Sequence, residues 1–157
     1  MSTTTIHPSA TIHHSARIGP GVVVGAGARI GPRAIVGEQT YIDPGARVAE
    51  QAIIGPGATV GRDAIISPGA IVRGRACISR GVVVGAGARI GPGARVGRGA
   101  TIHPCVAVGA NAIIGPHARV GTGARIHPGA TVAEGAHIGP GVVVGAVVPA
   151  GATIEED

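Results

Sequence analysis

Aromatic residues are all but missing from this chain of 157 residues: it has one Tyr, no Phe and no Trp, although 45% of it is hydrophobic. Large aromatic side chains ordinarily supply much of the volume of a globular core, so any core formed here is thin. The same lack removes the stacking platforms on which single-stranded nucleic acid binds, and no nucleic-acid partner is expected. No apolar run approaches the roughly 18 residues of a membrane span. The opening MSTTTIHPSA lacks the basic and apolar regions of a secretory signal. The chain therefore reads as soluble and cytoplasmic, with no membrane partner. Two cysteines, Cys77 and Cys105, are too few for a disulfide framework and read as incidental thiols. Lysine is absent, so all 13 basic residues are Arg; against 8 acids they leave a net charge of +5, a weak bias toward anionic ligands.

What is abundant is small and periodic. Gly (29 residues) and Pro (12 residues) would mark a low-complexity chain if they had no period. Here Ile or Val stands at every sixth position from Ile6 through Val144 without exception. Two residues before each is a small or branched residue, mostly Ala, with Thr4, Thr40, Val22, Val82, Val106 and Val142 as variants. A spacing of two puts both side chains on one face of a strand. After each Ile or Val comes a turn rich in Gly and Pro. Proline, with no N–H, belongs at these bends. The third turn position is usually Gly, the residue that a positive φ selects. Asp63 and Asn111, residue types such a bend also selects, are among the exceptions, whereas Arg33, Gln39, Gln51, Arg75, Cys105 and His117 are expected to hold it with strain.

A six-residue side buries nothing alone, so three sides must close into a triangular coil of 18 residues. The expected fold is an all-β parallel β-helix, a solenoid of about eight coils with no inserted loops. Residues 1–5 are read as a polar cap, 6–148 as the repeat, and 149–157 as a closing turn with an acidic tail. Ile and Val alternate from Ile18 onward, so Ile should stack on Val along each internal ladder. After Val144 the period breaks, with Val148 and Ile154 replacing the apolar residue expected at Ala150.

Stretches such as IHPSATIHHSARIGPGVVVGAGARIGP and GATIHPCVAVGANAIIGP resemble the hexapeptide-repeat acyltransferase superfamily, which includes the UDP-sugar acyltransferases of lipid A synthesis and the serine acetyltransferases. The resemblance covers essentially residues 6–148. It implies left-handed coils, a homotrimer with active sites in crevices between subunits, and coenzyme A or acyl carrier protein thioesters as acyl donors. No bound cofactor and no metal are expected. The gamma-class carbonic anhydrases of the same superfamily imply three zinc-binding His across a trimer interface; no matched motif here carries the two that should lie close in sequence.

Reading residues 18 apart as columns gives the candidate sites. Ile35, Ile53 and Ile71 form one outward aliphatic column, and Ile65 with Val83 extends it on another side, marking an expected subunit interface. Arg62, Arg80 and Arg98 climb one edge, with Asp63 beside the first, Arg95 on the neighbouring strand and His117 one coil further on. Such a ladder suits a phosphate or carboxylate and is the candidate anion and acyl-donor site. His117, then His103, is the candidate general base for acyl transfer. The alternative is a noncatalytic structural or designed scaffold, favoured by the near-identity of residues 21–32 and 81–92 and by the loop-free regularity. Family enzymes tend to carry an extruded loop and a helical C-terminal domain, which this sequence lacks.

Overall fold

The computed structural model describes residues 3–156; Met1 and Ser2 of the N-terminal cap and Asp157 of the tail lie outside the described residues. Every hexad forms a two-residue strand, from β1 (Thr5–Ile6) to β24 (Val143–Val144), and two more follow, β25 (Val147–Val148) and β26 (Thr153–Ile154). They assemble into three parallel sheets of nine, nine and eight strands, with each strand paired to the strand three places along the chain. The register is 18 residues, as in Thr5 opposite Val23 and Ile6 opposite Val24. We call the sheet containing β1 face 1, the one beginning at Thr11–Ile12 face 2, and the one beginning at Arg17–Ile18 face 3. Edges 1, 2 and 3 are the corners that follow those faces. With strands about 4.8 Å apart, the prism is roughly 38 Å long.

The pattern of apolar residues explains why this closes. Within residues 22–144 the inward aliphatic and the small residue before it are almost wholly buried, and Val60, Ile78, Val96 and Ile102 are fully inaccessible. Ile does stack on Val, as in Ile42, Val60 and Ile78 down face 1. Larger and smaller side chains thereby interlock in a core with no aromatic residue. The one buried polar side chain among the described residues, Thr40, donates its hydroxyl to the Gly55 carbonyl at 3.1 Å. No buried side-chain N or O among the described residues lacks a partner.

Each corner is built by backbone bonds between coils. The residue after the inward aliphatic donates to the coil above, as Gly61 N does to Ile78 O at 2.7 Å. The third corner residue donates to the coil below, as Gly81 N does to Arg62 O at 2.9 Å. The second corner position donates no such bond, and every proline except Pro149 stands there. All eight non-glycine residues expected to be constrained at the third position do have positive φ, from Gln39 at 56° to Cys105 at 63°. Where the first corner position is glycine it is so for a separate reason, although His7, Asp43, Ala49 and Ser79 among others carry side chains at that position. A Cβ on Gly61 would lie 2.6 Å from the Ser79 carbonyl carbon, and one on Gly91 2.6 Å from the Ala110 amide nitrogen. At these two glycines the backbone of the next coil stands closer than an added Cβ ordinarily tolerates.

The first two corners use another device, which the sequence reading did not anticipate. Ser9 and Ser15 occupy the third position without positive φ. The Ser9 hydroxyl accepts a bond from Gly27 N at 3.0 Å, and the Ser15 hydroxyl accepts one from Arg33 N at 3.0 Å. In other corners a backbone carbonyl takes that role. At the far end the coil shortens: β25 pairs with Thr131–Val132 and β26 with His137–Ile138, an offset of 16 residues. Two residues are lost at the corner after Val144, and the ladder continues above it.

Candidate functional site

The solenoid places the expected arginine ladder as the column reading requires. Arg62, Arg80 and Arg98 follow one another on edge 1, where Gly81 N bonds Arg62 O at 2.9 Å and Gly99 N bonds Arg80 O at 3.0 Å. His117 closes the series: its amide donates to Arg98 O at 2.9 Å. Its imidazole folds back over Gly99, where a Cβ would come within 2.7 Å of the ring Nδ1. Gly99 is thus the gap that lets a histidine with φ of 58° lie flat on the edge. Asp63 lies over Gly45 in the same way, immediately beside Arg62. Arg95 is exposed on face 1, between Cys77 and Ile113, one strand position from the corner that carries Arg98. All four guanidinium groups and His117 face solvent. The arrangement is an open positive rail with a basic nitrogen at one end.

His103 does not join that group. It stands on edge 2, exposed, in the same column as His13. Among the described residues no three of His, Cys, Asp and Glu stand together as a metal-binding group. His13 and His14 do approach each other, with ring centroids 4.2 Å apart. His7 and His13 are held by their serines: His7 Nδ1 is 2.7 Å from Ser9 Oγ, and His13 Nδ1 is 2.7 Å from Ser15 Oγ. Each Nδ1 also accepts the backbone N–H of its serine, at 3.1 Å and 3.2 Å. Because each Nδ1 accepts a backbone N–H it carries no hydrogen, so the serine hydroxyl is the donor to it and the neutral ring's hydrogen is on Nε2. The signal in the sequence is the His-x-Ser spacing at HPS and HHS, coinciding with the two corners that have serine where glycine or a strained residue otherwise stands.

The aliphatic column on face 3 is real in register: Ile35 pairs with Ile53 and Ile53 with Ile71. Ile65 pairs with Val83 on face 2. Ile35, Ile53 and Ile65 are exposed, whereas Ile71 and Val83 are half-buried. Faces 2 and 3 meet at edge 2, so the two stripes flank one corner. Face 1 carries an apolar surface that column reading passed over: Val23, Tyr41 and Thr59 are in-register neighbours, and Tyr41, the lone aromatic, is 54% exposed. Both cysteines are free and exposed, Cys77 on face 1 and Cys105 on edge 2. Among the described residues no helix is long and apolar enough to cross a membrane.

A helix-free stack of hexad sides closed into three parallel sheets defines the hexapeptide-repeat class of β-helix. The family model described as bacterial transferase hexapeptide (six repeats) matches residues 2–32, 87–122 and 111–148, more than half of the chain, and the protein belongs to that family. Solved structures place it among left-handed parallel β-helices. The UDP-N-acetylglucosamine O-acyltransferase of Moraxella catarrhalis RH4 superimposes with a TM-score of 0.70 at 18% identity, over 90% of this chain and 65% of that enzyme. The UDP-N-acetylglucosamine acyltransferase of Francisella novicida gives 0.53 at 22% identity, over 99% and 66%. The corresponding enzyme of Campylobacter jejuni gives 0.50 at 24% identity, over 93% and 69%. The chain thus spans about two thirds of the length of these enzymes. A sequence search of curated proteins finds no match.

Proposed function

We propose that the chain is a hexapeptide-repeat acyltransferase, moving an acyl group from a coenzyme A or acyl-carrier thioester to an amine or hydroxyl. The observation that carries this reading is the continuity of edge 1: arginines on three successive coils lead, coil by coil, to His117. Both thioester donors carry phosphate groups, and stacked Arg side chains are suited to hold them, with Arg95 at the side. His117 takes the proton from the acceptor as it attacks the thioester carbonyl; the C–S bond then breaks and the thiolate leaves with a proton. Family membership and the shared fold support the activity class.

The working unit in this reading is a cytoplasmic homotrimer. Stripes Ile35–Ile53–Ile71 and Ile65–Val83 pack against neighbouring subunits, since stacked exposed aliphatics flanking one corner are what an interface buries. His103 stands on the same corner as those stripes but one coil beyond Val83, and in this reading it is the second candidate base. A noncatalytic scaffold is the competing reading, supported by a specific observation: every side within residues 5–144 has the same two-residue strand, and no loop is extruded. The test is release of free thiol from acetyl-coenzyme A in the presence of amino-sugar and hydroxyl acceptors. Turnover that falls at least 100-fold in His117→Ala supports catalysis there. Turnover equal to the buffer rate with every acyl donor and acceptor tried removes the enzyme reading.

A further inference from the structure

The serine of the second corner is placed to do more than hold the coil above it. Ser15 Oγ stands 2.7 Å from His13 Nδ1, and that nitrogen, which also accepts the Ser15 N–H at 3.2 Å, carries no hydrogen of its own. The hydroxyl is therefore aimed at an acceptor nitrogen, which is the relation of a nucleophile to its general base. On its other side Oγ accepts the Arg33 N–H at 3.0 Å, and a donor held there stabilises the negative charge that grows on the oxygen as its proton leaves. The His14 ring lies against His13, with centroids 4.2 Å apart. Ser15 is exposed and His13 half-buried, so the oxygen can be reached while the ring is packed.

Two corners share this hydrogen-bond pattern, and their surroundings separate them. At the first, Ser9 Oγ is 2.7 Å from His7 Nδ1 and accepts the Gly27 N–H at 3.0 Å, but Gly27 brings no side chain to the corner. At the second, Arg33 holds a φ of 57° directly over Ser15, whereas Asp63, Asn111 and His117 hold theirs over glycine. A strained residue set on a side chain is a conflict of the kind that functional sites retain. A groove of about 350 Å³ opens beside it, within the size range of small-molecule sites, and its lining residues are Ser15, Arg17, Arg33 and Ile35. Arg17 and Ile35 are in-register partners on face 3. The nucleophile, two cationic residues and an aliphatic wall thus occupy adjoining positions on coils one and two, with no carboxylate among the lining residues.

We propose that Ser15 and His13 form a nucleophile and base pair that hydrolyses carboxylic esters bearing a carboxylate. His13 Nδ1 takes the hydroxyl proton as Oγ attacks the ester carbonyl; the C–O bond to the alcohol breaks, the alcohol leaves with that proton, and the acyl group stays on Oγ. Water then gives a proton to His13 and attacks the acyl-serine, the free acid is released, and Oγ regains the proton. Arg17 and Arg33 offset the oxyanion and hold the carboxylate of the substrate, whose apolar part lies on Ile35. This chemistry uses neither a thioester nor the arginine ladder, so it does not rest on acyl transfer at edge 1. A fluorophosphonate probe, which phosphonylates activated serines, tests it on the whole protein by peptide mass mapping. Ser15 should be labelled, Ser15→Ala should lose the label, and Ser9→Ala should keep it. The protein should also hydrolyse 4-acetoxybenzoate at least about tenfold above the buffer rate. That enhancement should exceed the one for neutral phenyl acetate, and Arg17→Ala should reduce the difference. His13→Asn separates catalysis from corner building, because the Asn Oδ1 accepts the same N–H and O–H bonds but is no base. In that variant the melting temperature should hold while labelling and hydrolysis fall by about 100-fold. Labelling at the wild-type rate in His13→Asn, Ser9 labelled as fast as Ser15, or neither label nor hydrolysis above buffer overturns the proposal. Equal enhancement for the neutral ester overturns the substrate class.

Discussion

Two groups of arginines share the same coil spacing and differ in what surrounds them. Arg62, Arg80 and Arg98 project from a corner into open solvent, where water screens their repulsion and a ligand must supply its own contacts. Arg29 and Arg47 are exposed too, but they lie in register on face 2, beside a groove lined mainly by apolar atoms. The lesson is that a column of like residues defines a distance, whereas the local shape of edge or face defines what that distance can hold.

That comparison can be broken most severely through the core that both groups share. Val60 is fully buried two residues before Arg62. Val60→Asp places an unpaired charge in a prism without polar partners, a cost of several kcal/mol, and the cooperative thermal melt should vanish. A melt retained at the wild-type temperature would contradict the inward assignment. If hydrogen exchange still protected coils one to three in this variant, the two arginine regions would be separable units, as a one-dimensional stack permits.

Assembly offers the next largest effect. Ile53→Arg introduces charge at the centre of the face 3 stripe, and light scattering should show a trimer becoming a monomer. An unchanged mass removes that stripe from the interface and turns attention to Tyr41 on face 1. Gly61→Ala acts on the ladder alone, because its Cβ would meet the Ser79 carbonyl carbon at 2.6 Å and the Arg80 amide at 2.7 Å. We expect a loss of about 1–3 kcal/mol in denaturant unfolding, together with weakened anion binding at Arg80. The smallest effect is expected from Gln39→Gly, which relieves a positive φ of 56° over a plain corner. A gain of about 0.5–1 kcal/mol, or ~2 °C in melting temperature, should follow. Arg33→Gly, at a φ of 57°, should give a similar gain.

Much of the framework was legible because each rule acts on a single residue. The Ile or Val at every sixth place must face inward, and the corner that needs positive φ selects Gly, so even its eight exceptions could be named in advance. The serine corners were harder to read: a hydroxyl there replaces a backbone carbonyl as acceptor, a substitution visible only once the amides of Gly27 and Arg33 are placed. The glycines of the first corner position had no separate explanation in the sequence, since their reason is the approach of the next coil. The break after Val144 was visible as lost period, but only strand pairing shows that the coil shortens and the sheets run on.

The six-residue period alone determined the three-sided stack, the columns of the ladder and the aliphatic stripe, and the corners where strain would fall, because burial of a thin apolar core admits one register. Tertiary structure decided which columns face a groove and which face water, and which corner carries side chain upon side chain. Those outcomes depend on contacts between chain segments a full coil apart, and on the shape of the surface they leave between them.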